Sequence, residues 1–405
     1  MRDRGHSSRW VWILAAVAML ALFAAACGDD DDSGGTSTAG FKTVTVAKGE
    51  SVKIGVSSAV SGDLKGLGEP IANAAALAGD GKDIKGHKIE FIVKDDLCTP
   101  DGGAAAASQL IQAGVVAVVG PICSGGAIAA QPQYEKAGIT HISPSSTAIK
   151  STKPDRGTPF ATFLRVTYND AIQGPAQAKF AKEKLGAKTA YIVNDSDAYG
   201  SGLRDAFKDA FIKGGGKIVG SPESYEKKTT DFKAIITNIQ NAKPDLVYFA
   251  GFYAEATPFI KQLRAAMKDV KFLAGDGVKN DEFLKAGADA EGAYLSLPTP
   301  VLKGAAFDTF AKLYEAKAGK KAESGTFVAE AYDSATVIIN ALNKVATDKD
   351  GVLSIDLKKL NEEIHKTDMV GAVGKIKFDS KGDNAGGETP VTLYVIKGGK
   401  YEEVK

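Results

Sequence analysis

Strand-like and helix-like segments alternate along most of the chain from residue 52 onwards. Short apolar runs predict strands, and longer segments with helical spacing of apolar residues predict helices. The predicted strands cover 52–56, 88–93, 115–119, 139–142, 188–193, 217–219, 246–250, 271–274 and 292–295. The predicted helices cover 70–78, 103–113, 127–137, 174–185, 205–213, 231–241 and 254–267. This alternation is typical of βαβ units, so it predicts an α/β fold with mostly parallel sheets.

The alternation ends in the C-terminal part of the chain. Predicted helices at 305–318, 328–344 and 356–366 follow one another, and strand-like segments at 375–378 and 391–396 come after them. Strands without partners of their own are expected to return to sheets that began earlier. The pattern therefore predicts lobes built from discontinuous pieces of chain.

The N-terminus has the features of an export signal. Three arginines lie in the first nine residues, and residues 11–26 carry no charge and end in three alanines. These features predict a signal peptide over 1–26, too short in its apolar part for the roughly 20 residues of a membrane span. Cys27 follows directly, as in a bacterial lipobox, and the polar stretch 27–48 is expected to be a disordered tether. The alternative is a plain signal peptide with an incidental cysteine.

Length and charge limit the class of protein. Loss of residues 1–26 removes three arginines and one aspartate and moves the formal net charge from +1 to −1. A near-neutral chain with both signs spread along it argues against a nucleic-acid partner. The remaining length is enough for two domains, and it contains no second apolar run of membrane length.

The residues typical of catalysis and metal binding are sparse. The four histidines are isolated in the sequence, and no nucleophile elbow or His-Glu-x-x-His segment occurs. We therefore expect neither an enzyme nor a metal or cofactor site. Cys98 and Cys123 lie 25 positions apart in a chain expected to be exported, which favours a disulfide over two buried thiols.

Hydroxyl-rich loops follow two successive predicted strands, over 120–126 and 143–148. Ligands bind at the carboxyl ends of strands in open parallel sheets. Ser and Thr hydroxyls beside the N–H groups of a helix start are suited to holding a carboxylate. The alternative is ordinary helix capping by the same residue types. Two such loops on neighbouring strand ends favour ligand binding.

From residue 52 to the C-terminus, the chain resembles the branched-chain amino-acid binding proteins of ABC transporters, which have the type I periplasmic-binding fold. The segments that carry this resemblance occur in the order and spacing of the family. They are Val60-Ser61-Gly62, Lys94-Asp95-Asp96-Leu97-Cys98, Pro121-Ile122-Cys123-Ser124, Ile142-Ser143-Pro144-Ser145-Ser146-Thr147-Ala148, Asp197-Ala198-Tyr199-Gly200-Ser201-Gly202-Leu203 and Gly275-Asp276-Gly277-Val278.

The resemblance implies two doubly wound, mostly parallel-sheet lobes joined by three crossovers near residues 169, 298 and 389. The implied organisation is a signal peptide at 1–26, a tether at 27–48, lobe I at 49–168 and 299–388, and lobe II at 169–298 and 389–405. A ligand would be buried between the lobes as they close. The Cys98–Cys123 pair matches a family disulfide beside the site.

The resemblance also implies roles for single residues. Ser124 and Thr147, with backbone N–H groups near Ser124 and Ser145, would bind the ligand carboxylate. Tyr199 would approach from lobe II. Asp276 would bind the ligand ammonium, at a position where the family more often has Glu.

The apolar part of the implied pocket departs from the family. Leu67 lies where an aromatic residue is common, and Phe252 lies where a Tyr is common; Ile122, Cys123 and Phe327 complete the predicted lining. This lining predicts leucine, isoleucine or valine as ligand. A larger apolar or aromatic amino acid, or a carboxylate without an amine, is the alternative.

The function that follows is delivery of an amino acid to an ABC transporter permease by an exported, lipid-anchored, monomeric binding protein. A ligand-sensing receptor domain without transport is the main rival. An exported hydrolase would need a nucleophile and a base that the sequence does not offer.

Overall fold

The computed structural model describes residues 39–155, 157–322, 325–387 and 391–404. The predicted signal peptide, Cys27 and the tether as far as residue 38 lie outside the described residues. Within the described ranges, every helix is too short or too polar to cross a membrane.

The described residues form nineteen strands and eleven α-helices. The strands are β1 Thr43–Val46, β2 Val52–Ser58, β3 Asp83–Ile84, β4 His87–Asp95, β5 Ala117–Val119, β6 Thr140–Ser143, β7 Phe163–Arg165, β8 Thr189–Asp195, β9 Lys217–Ile218, β10 Glu223–Tyr225, β11 Leu246–Ala250, β12 Lys271–Ala274, β13 Tyr294–Leu297, β14 Thr347–Lys349, β15 Val352–Asp356, β16 Asp368–Gly371, β17 Gly374–Lys377, β18 Thr392–Lys397 and β19 Lys400–Glu403. The α-helices are α1 Lys65–Leu77, α2 Pro100–Gln112, α3 Ser124–Ala137, α4 Asp170–Glu183, α5 Ala198–Lys213, α6 Lys233–Ala242, α7 Tyr253–Ala266, α8 Asp281–Leu284, α9 Ala305–Ala318, α10 Val328–Val345 and α11 Leu357–His365.

The first sheet has six strands in the order β3-β4-β2-β5-β6-β7. The strands from β4 to β7 are parallel, and β3 is antiparallel at the edge. Helices α1 to α3 and α9 to α11 accompany this sheet. We call this assembly lobe I.

The second sheet has the order β10-β8-β11-β12-β13-β18-β19, with β9 also paired to β8. Strands β8 to β13 are parallel, whereas β18 and β19 are antiparallel. This sheet, with helices α4 to α8, is lobe II. The chain passes between the sheets after β7, after β13 and again before β18, which confirms the predicted α/β fold class.

The strand sequences explain why both sheets are covered on two faces. All five residues of β11, Leu-Val-Tyr-Phe-Ala, are buried. Strand β5 in lobe I, Ala-Val-Val, is buried throughout as well. A continuous apolar run is what a parallel strand packed between two helical layers requires. Polar side chains that could bind a ligand are therefore expected in the loops at the carboxyl ends of the strands.

The tether prediction is wrong over its last residues. Thr43–Val46 forms β1 and pairs antiparallel with β15, from Thr43 opposite Asp356 to Val46 opposite Leu353. Val46 is buried, so the alternating Thr-Val-Thr-Val sequence has a face to cover.

Helix α1 begins at Lys65, five residues before its predicted start, and Pro70 lies inside it. Proline has no N–H, so the carbonyl of Gly66 loses its donor within the helix. The Asn280 side chain of lobe II donates to that carbonyl at 3.1 Å. The helix start is thus supported by a contact from the other lobe.

Candidate solute-binding site

The loops after β5 and β6 lie against each other in lobe I. The Ser143 hydroxyl donates to the Pro121 carbonyl at 2.6 Å, and the Ser145 hydroxyl donates to the Ile122 carbonyl at 2.7 Å. The Ser124 hydroxyl accepts from the backbone N–H of Ala148 at 3.2 Å. The two hydroxyl-rich loops singled out from the sequence therefore form one surface at the edge of the sheet.

Helix capping does not explain these hydroxyls. Cys123 occupies the N-cap position of α3 and makes no side-chain cap, while Ser124 is the first helical residue. The short 3-10 helix Ile149–Ser151 follows Ala148, so Thr147 does not cap it either. The first N–H groups of α3 have no partner inside their helix and carry its positive end. This corner of lobe I is suited to an anion.

A disulfide holds the start of α3. Cys98 and Cys123 are joined, with their Cα atoms 5.2 Å apart. Asp96 orders the loop beside the bridge by accepting from the Cys98 N–H at 2.9 Å and from the Ser57 hydroxyl at 2.9 Å. The structure therefore shows a bridge rather than two free thiols.

Asp276 and Tyr199 face this surface from lobe II. The Tyr199 hydroxyl donates to Oδ1 of Asp276 at 3.0 Å and accepts from the Gly277 N–H at 3.0 Å. Gln173 Nε2 donates to the same carboxylate oxygen at 2.6 Å. The Phe252 ring lies 5.0 Å from the Tyr199 ring, centroid to centroid. The structure thus brings Asp276, Tyr199 and Phe252 together in lobe II, with the Asp276 carboxylate buried.

Asp170 is a residue that the sequence reasoning missed. It is the first residue of α4, it is fully buried, and neither of its carboxylate oxygens has a hydrogen-bond partner. The Thr147 hydroxyl and Gln173 Oε1 are likewise buried without a partner. The backbone ties Asp170 to lobe I, because its N–H donates to the Thr147 carbonyl at 2.9 Å. Unpaired buried polar groups are costly. Here Asp170 and Gln173 lie next to Asp276, and Thr147 lies next to Asp170.

The two carboxylates have perturbed acidities. Burial raises the pKa of Asp170 to about 8, and the neighbouring charge of Asp276 adds to this shift. Burial raises the pKa of Asp276 to about 6, although the hydrogen bonds from Gln173 and Tyr199 oppose the increase. A cation between the carboxylates would stabilise both charged forms. The site is therefore suited to a positively charged group.

Arg165 is a second residue that the sequence reasoning missed. Its side chain is fully buried, and its Nη1 donates to the carbonyls of Ser146 and Ala148 at 2.8 Å each. Its Nε donates to Oδ1 of Asp383 at 2.6 Å. Arg165 thereby fixes the residues on both sides of Thr147 and sets the position of that hydroxyl.

Leu67, Ile122 and Phe327 are all buried. Leu67 follows Gly66, which contacts Asn280 of lobe II. Phe327 has a left-handed backbone at φ 61° and follows Thr326, whose hydroxyl donates to the carbonyl of Lys279. Each of these predicted apolar residues is thus next to a contact between the lobes or between the two hydroxyl loops.

Comparison with known proteins decides the family. The family model for periplasmic binding proteins matches residues 51–400. The chain belongs to the periplasmic binding protein family. Its members bind solutes and are not enzymes, so the expectation that this chain is not an enzyme is confirmed. The described residues contain no group of three side chains that could hold a metal ion.

Relatives of this periplasmic binding protein bind branched-chain amino acids. The leucine-, isoleucine-, valine-, threonine- and alanine-binding protein of Pseudomonas aeruginosa is 29% identical over 85% of this chain and 90% of its own length. The leucine-specific-binding protein of Salmonella typhimurium is 30% identical over 87% of this chain and 94% of its own length. The resemblance to the branched-chain amino-acid binding proteins is confirmed.

Solved structures agree with this placement. The leucine-binding protein LivK of Thermotoga maritima superimposes with a TM-score of 0.79 at 26% identity, over 87% of this chain and 98% of its own. The substrate-binding protein LivJ of Streptococcus pneumoniae, solved with isoleucine, gives a TM-score of 0.76 at 28% identity, over 88% and 99%. This periplasmic binding protein therefore has the type I fold.

Proposed function

We propose that this protein binds an aliphatic amino acid between its lobes. The observation that carries the proposal is the pairing of two opposed environments across the cleft. The uncapped start of α3, with Ser124 and Thr147, favours a carboxylate. Asp276 and Asp170 favour an ammonium. Only a molecule with both charged groups close together satisfies the two environments at once.

The apolar residues favour leucine, isoleucine or valine as the side-chain class. Leu67, Ile122, Phe252 and Phe327 are buried, and they offer an aliphatic and aromatic lining. Phe252 has no hydroxyl that a polar ligand side chain would engage. The names of the relatives, which bind leucine, isoleucine and valine, support the same class.

A larger apolar amino acid or a carboxylate without an amine is the alternative. A larger amino acid would use the room that Leu67 leaves in place of an aromatic ring. A carboxylate alone would leave Asp170 and Asp276 without a cation, which the burial of both groups disfavours. Titration calorimetry of the protein against the twenty amino acids separates these cases. Heat from leucine, isoleucine or valine supports the proposal, and no heat from any amino acid contradicts it.

We further propose that the protein is exported, anchored through a lipid on Cys27, monomeric, and a donor to an ABC transporter permease. The basic and apolar N-terminus and the cysteine after Ala24-Ala25-Ala26 support export and anchoring. The relatives support a permease partner, since the structural neighbours include the substrate-binding protein of a branched-chain amino-acid transporter. Uptake of labelled leucine by cells with and without the gene distinguishes transport from a receptor that only senses solute.

A further inference from the structure

Among the described residues, three side chains of lobe II donate hydrogen bonds to backbone carbonyls at the starts of helices α1 and α2 in lobe I. The Lys227 ammonium donates to the carbonyl of Cys98. The Tyr253 hydroxyl donates to the carbonyl of Asp63 at 2.8 Å. The Asn280 amide donates to the carbonyl of Gly66 at 3.1 Å. We call these three contacts the interlobe clasp.

Each donor of the clasp is held in place from its own lobe. The Lys227 ammonium also pairs with Asp197 at 2.9 Å. The backbone N–H of Asn280 donates to the Tyr401 hydroxyl at 3.1 Å, and that hydroxyl donates to the Asn280 carbonyl at 2.6 Å. Tyr253 is the first residue of α7. The donors are therefore pre-positioned, which lowers the entropy lost when they reach the other lobe.

The acceptors are available because their own helices do not use them. Pro70 deprives the Gly66 carbonyl of its helical donor, and Asp63 precedes the N-cap of α1. Cys98 precedes the N-cap of α2. Since all three acceptors are main-chain carbonyls, the clasp has the same chemistry whichever solute lies between the lobes.

A close approach at α3 accompanies the clasp. A β-carbon added at Gly125 would lie 2.9 Å from the carboxyl carbon of Asp197 and closer still to one of its oxygens. The negative Asp197 side chain thus lies beside the positive start of α3, a favourable arrangement for a helix dipole. A side chain at position 125 would require the Asp197 carboxylate to move.

We infer that the interlobe clasp of Lys227, Tyr253 and Asn280 sets the affinity of the protein by stabilising the closed arrangement of the lobes. Loss of a clasp contact lowers the fraction of protein in the closed form. The affinity for every solute then falls by the same factor, because apparent affinity scales with the fraction of binding-competent protein. The inference rests on the proposed function, since it concerns closure over a bound solute.

Tyr253→Phe is the central test, because it removes one hydroxyl. The variant is expected to bind leucine, isoleucine and valine about threefold to tenfold more weakly, with the ratios among them unchanged. Tyr191→Phe is the matched control, since the Tyr191 hydroxyl bonds to Glu223 within lobe II. A wild-type affinity in Tyr253→Phe overturns the inference. A changed order of preference among the three amino acids overturns it too, because it would place the hydroxyl on the solute.

Gly125→Ala tests the close approach independently. Its methyl group is expected to displace the Asp197 carboxylate, hold the lobes apart and weaken binding at least tenfold. Gly214→Ala is the control, because a β-carbon there meets Lys182 and Ala210, both within lobe II, at 3.2 and 3.3 Å. In an Asp197→Ala background, Gly125→Ala is expected to cost nothing further. An equal loss in both backgrounds would show that the methyl group blocks the solute itself and would overturn this part of the inference.

A distance measurement separates failure of the clasp from failure of the proposed function. Spin labels at Glu69→Cys in α1 and Lys261→Cys in α7, both exposed, report the separation of the lobes in a full-length Cys27→Ser chain. Tyr253→Phe is expected to lengthen the mean distance relative to its parent, measured with and without leucine. If no amino acid binds, the proposed function fails, and the solute-free distances still decide the clasp. Identical distance distributions in Tyr253→Phe and in its parent overturn the clasp inference.

Discussion

Asp276→Asn is expected to abolish most amino-acid binding and to leave the solute-free protein at least as stable. In the wild type, the pKa of Asp276 is raised to about 6, which means that the ionised carboxylate costs stability in the folded chain. The stability contributed by the protonated form is complete below the ordinary pKa of an aspartate and is lost as the pH rises through about 6. An amide in its place has no charge to bury and still accepts from Gln173 and Tyr199.

The bound state responds in the opposite direction. A ligand ammonium would lie buried without a full counter-charge, a loss of a few kcal/mol, or roughly a hundredfold in affinity. A solute at about 100 times its dissociation constant should stabilise the wild type by about 2.7 kcal/mol, which raises its melting temperature by several degrees. Calorimetry and thermal melting with leucine, isoleucine and valine measure both effects. The variant should melt no lower than wild type without solute and show little shift with it.

Asp333→Asn is the matched control. Asp333 is also a buried carboxylate with a pKa raised by burial to about 6, but it lies in α10 and accepts from the N–H groups of Ala372 and Val373. The two N–H groups bond to different oxygens of Asp333, and an amide offers only one oxygen, so the amide variant is expected to lose stability and keep wild-type affinity. If Asp276→Asn binds the three amino acids as well as wild type does, the assignment of the ammonium to Asp276 is refuted.

Three further outcomes are expected. Affinity should fall as the pH is lowered from about 8 to about 5, because an ammonium displaces protons from Asp170 and Asp276, and a dissociation constant that is flat over this interval would contradict the site. Non-reducing peptide mapping should recover Cys98 joined to Cys123, whereas two alkylatable thiols in unreduced protein would be the contrary result. Cys27→Ala should release the protein to the medium, and an intact mass without acyl chains on the mature N-terminus would end the lipid-anchor proposal.

The hydroxyl loops could be predicted from the sequence because their chemistry is local. Small polar residues directly after two buried strands must lie at the same sheet edge, whatever the tertiary detail. The structure places Ser124, Ser145 and Thr147 there, and it removes capping as their explanation. The role of Asp276 was predicted from the family resemblance. Its hydrogen bonds to Gln173 and Tyr199 could be identified only in the folded structure.

Asp170 and Arg165 could not be found in the same way. An aspartate after Asn169 at a helix start is an ordinary acidic first-turn residue, and nothing local indicates that the second lobe and Thr147 will bury it. Arg165 ends a three-residue strand, and its partner Asp383 is 218 positions away. Burial of a charged group depends on tertiary contacts, so it cannot be predicted from the residue type alone. The strand β1 was missed because its partner β15, at Val352–Asp356, is still more remote in the sequence.

The most direct measurement is a calorimetric comparison of leucine with its two half-molecules, 4-methylpentanoate and 3-methylbutylamine. The first lacks the ammonium and the second lacks the carboxylate, while the aliphatic chain is kept. If Ser124 and Thr147 bind a carboxylate while Asp170 and Asp276 bind an ammonium, leucine should bind and each half-molecule should bind at least about a hundredfold more weakly. Binding of 4-methylpentanoate as tight as that of leucine would contradict the account, because the two buried carboxylates would then have no part in recognising the solute.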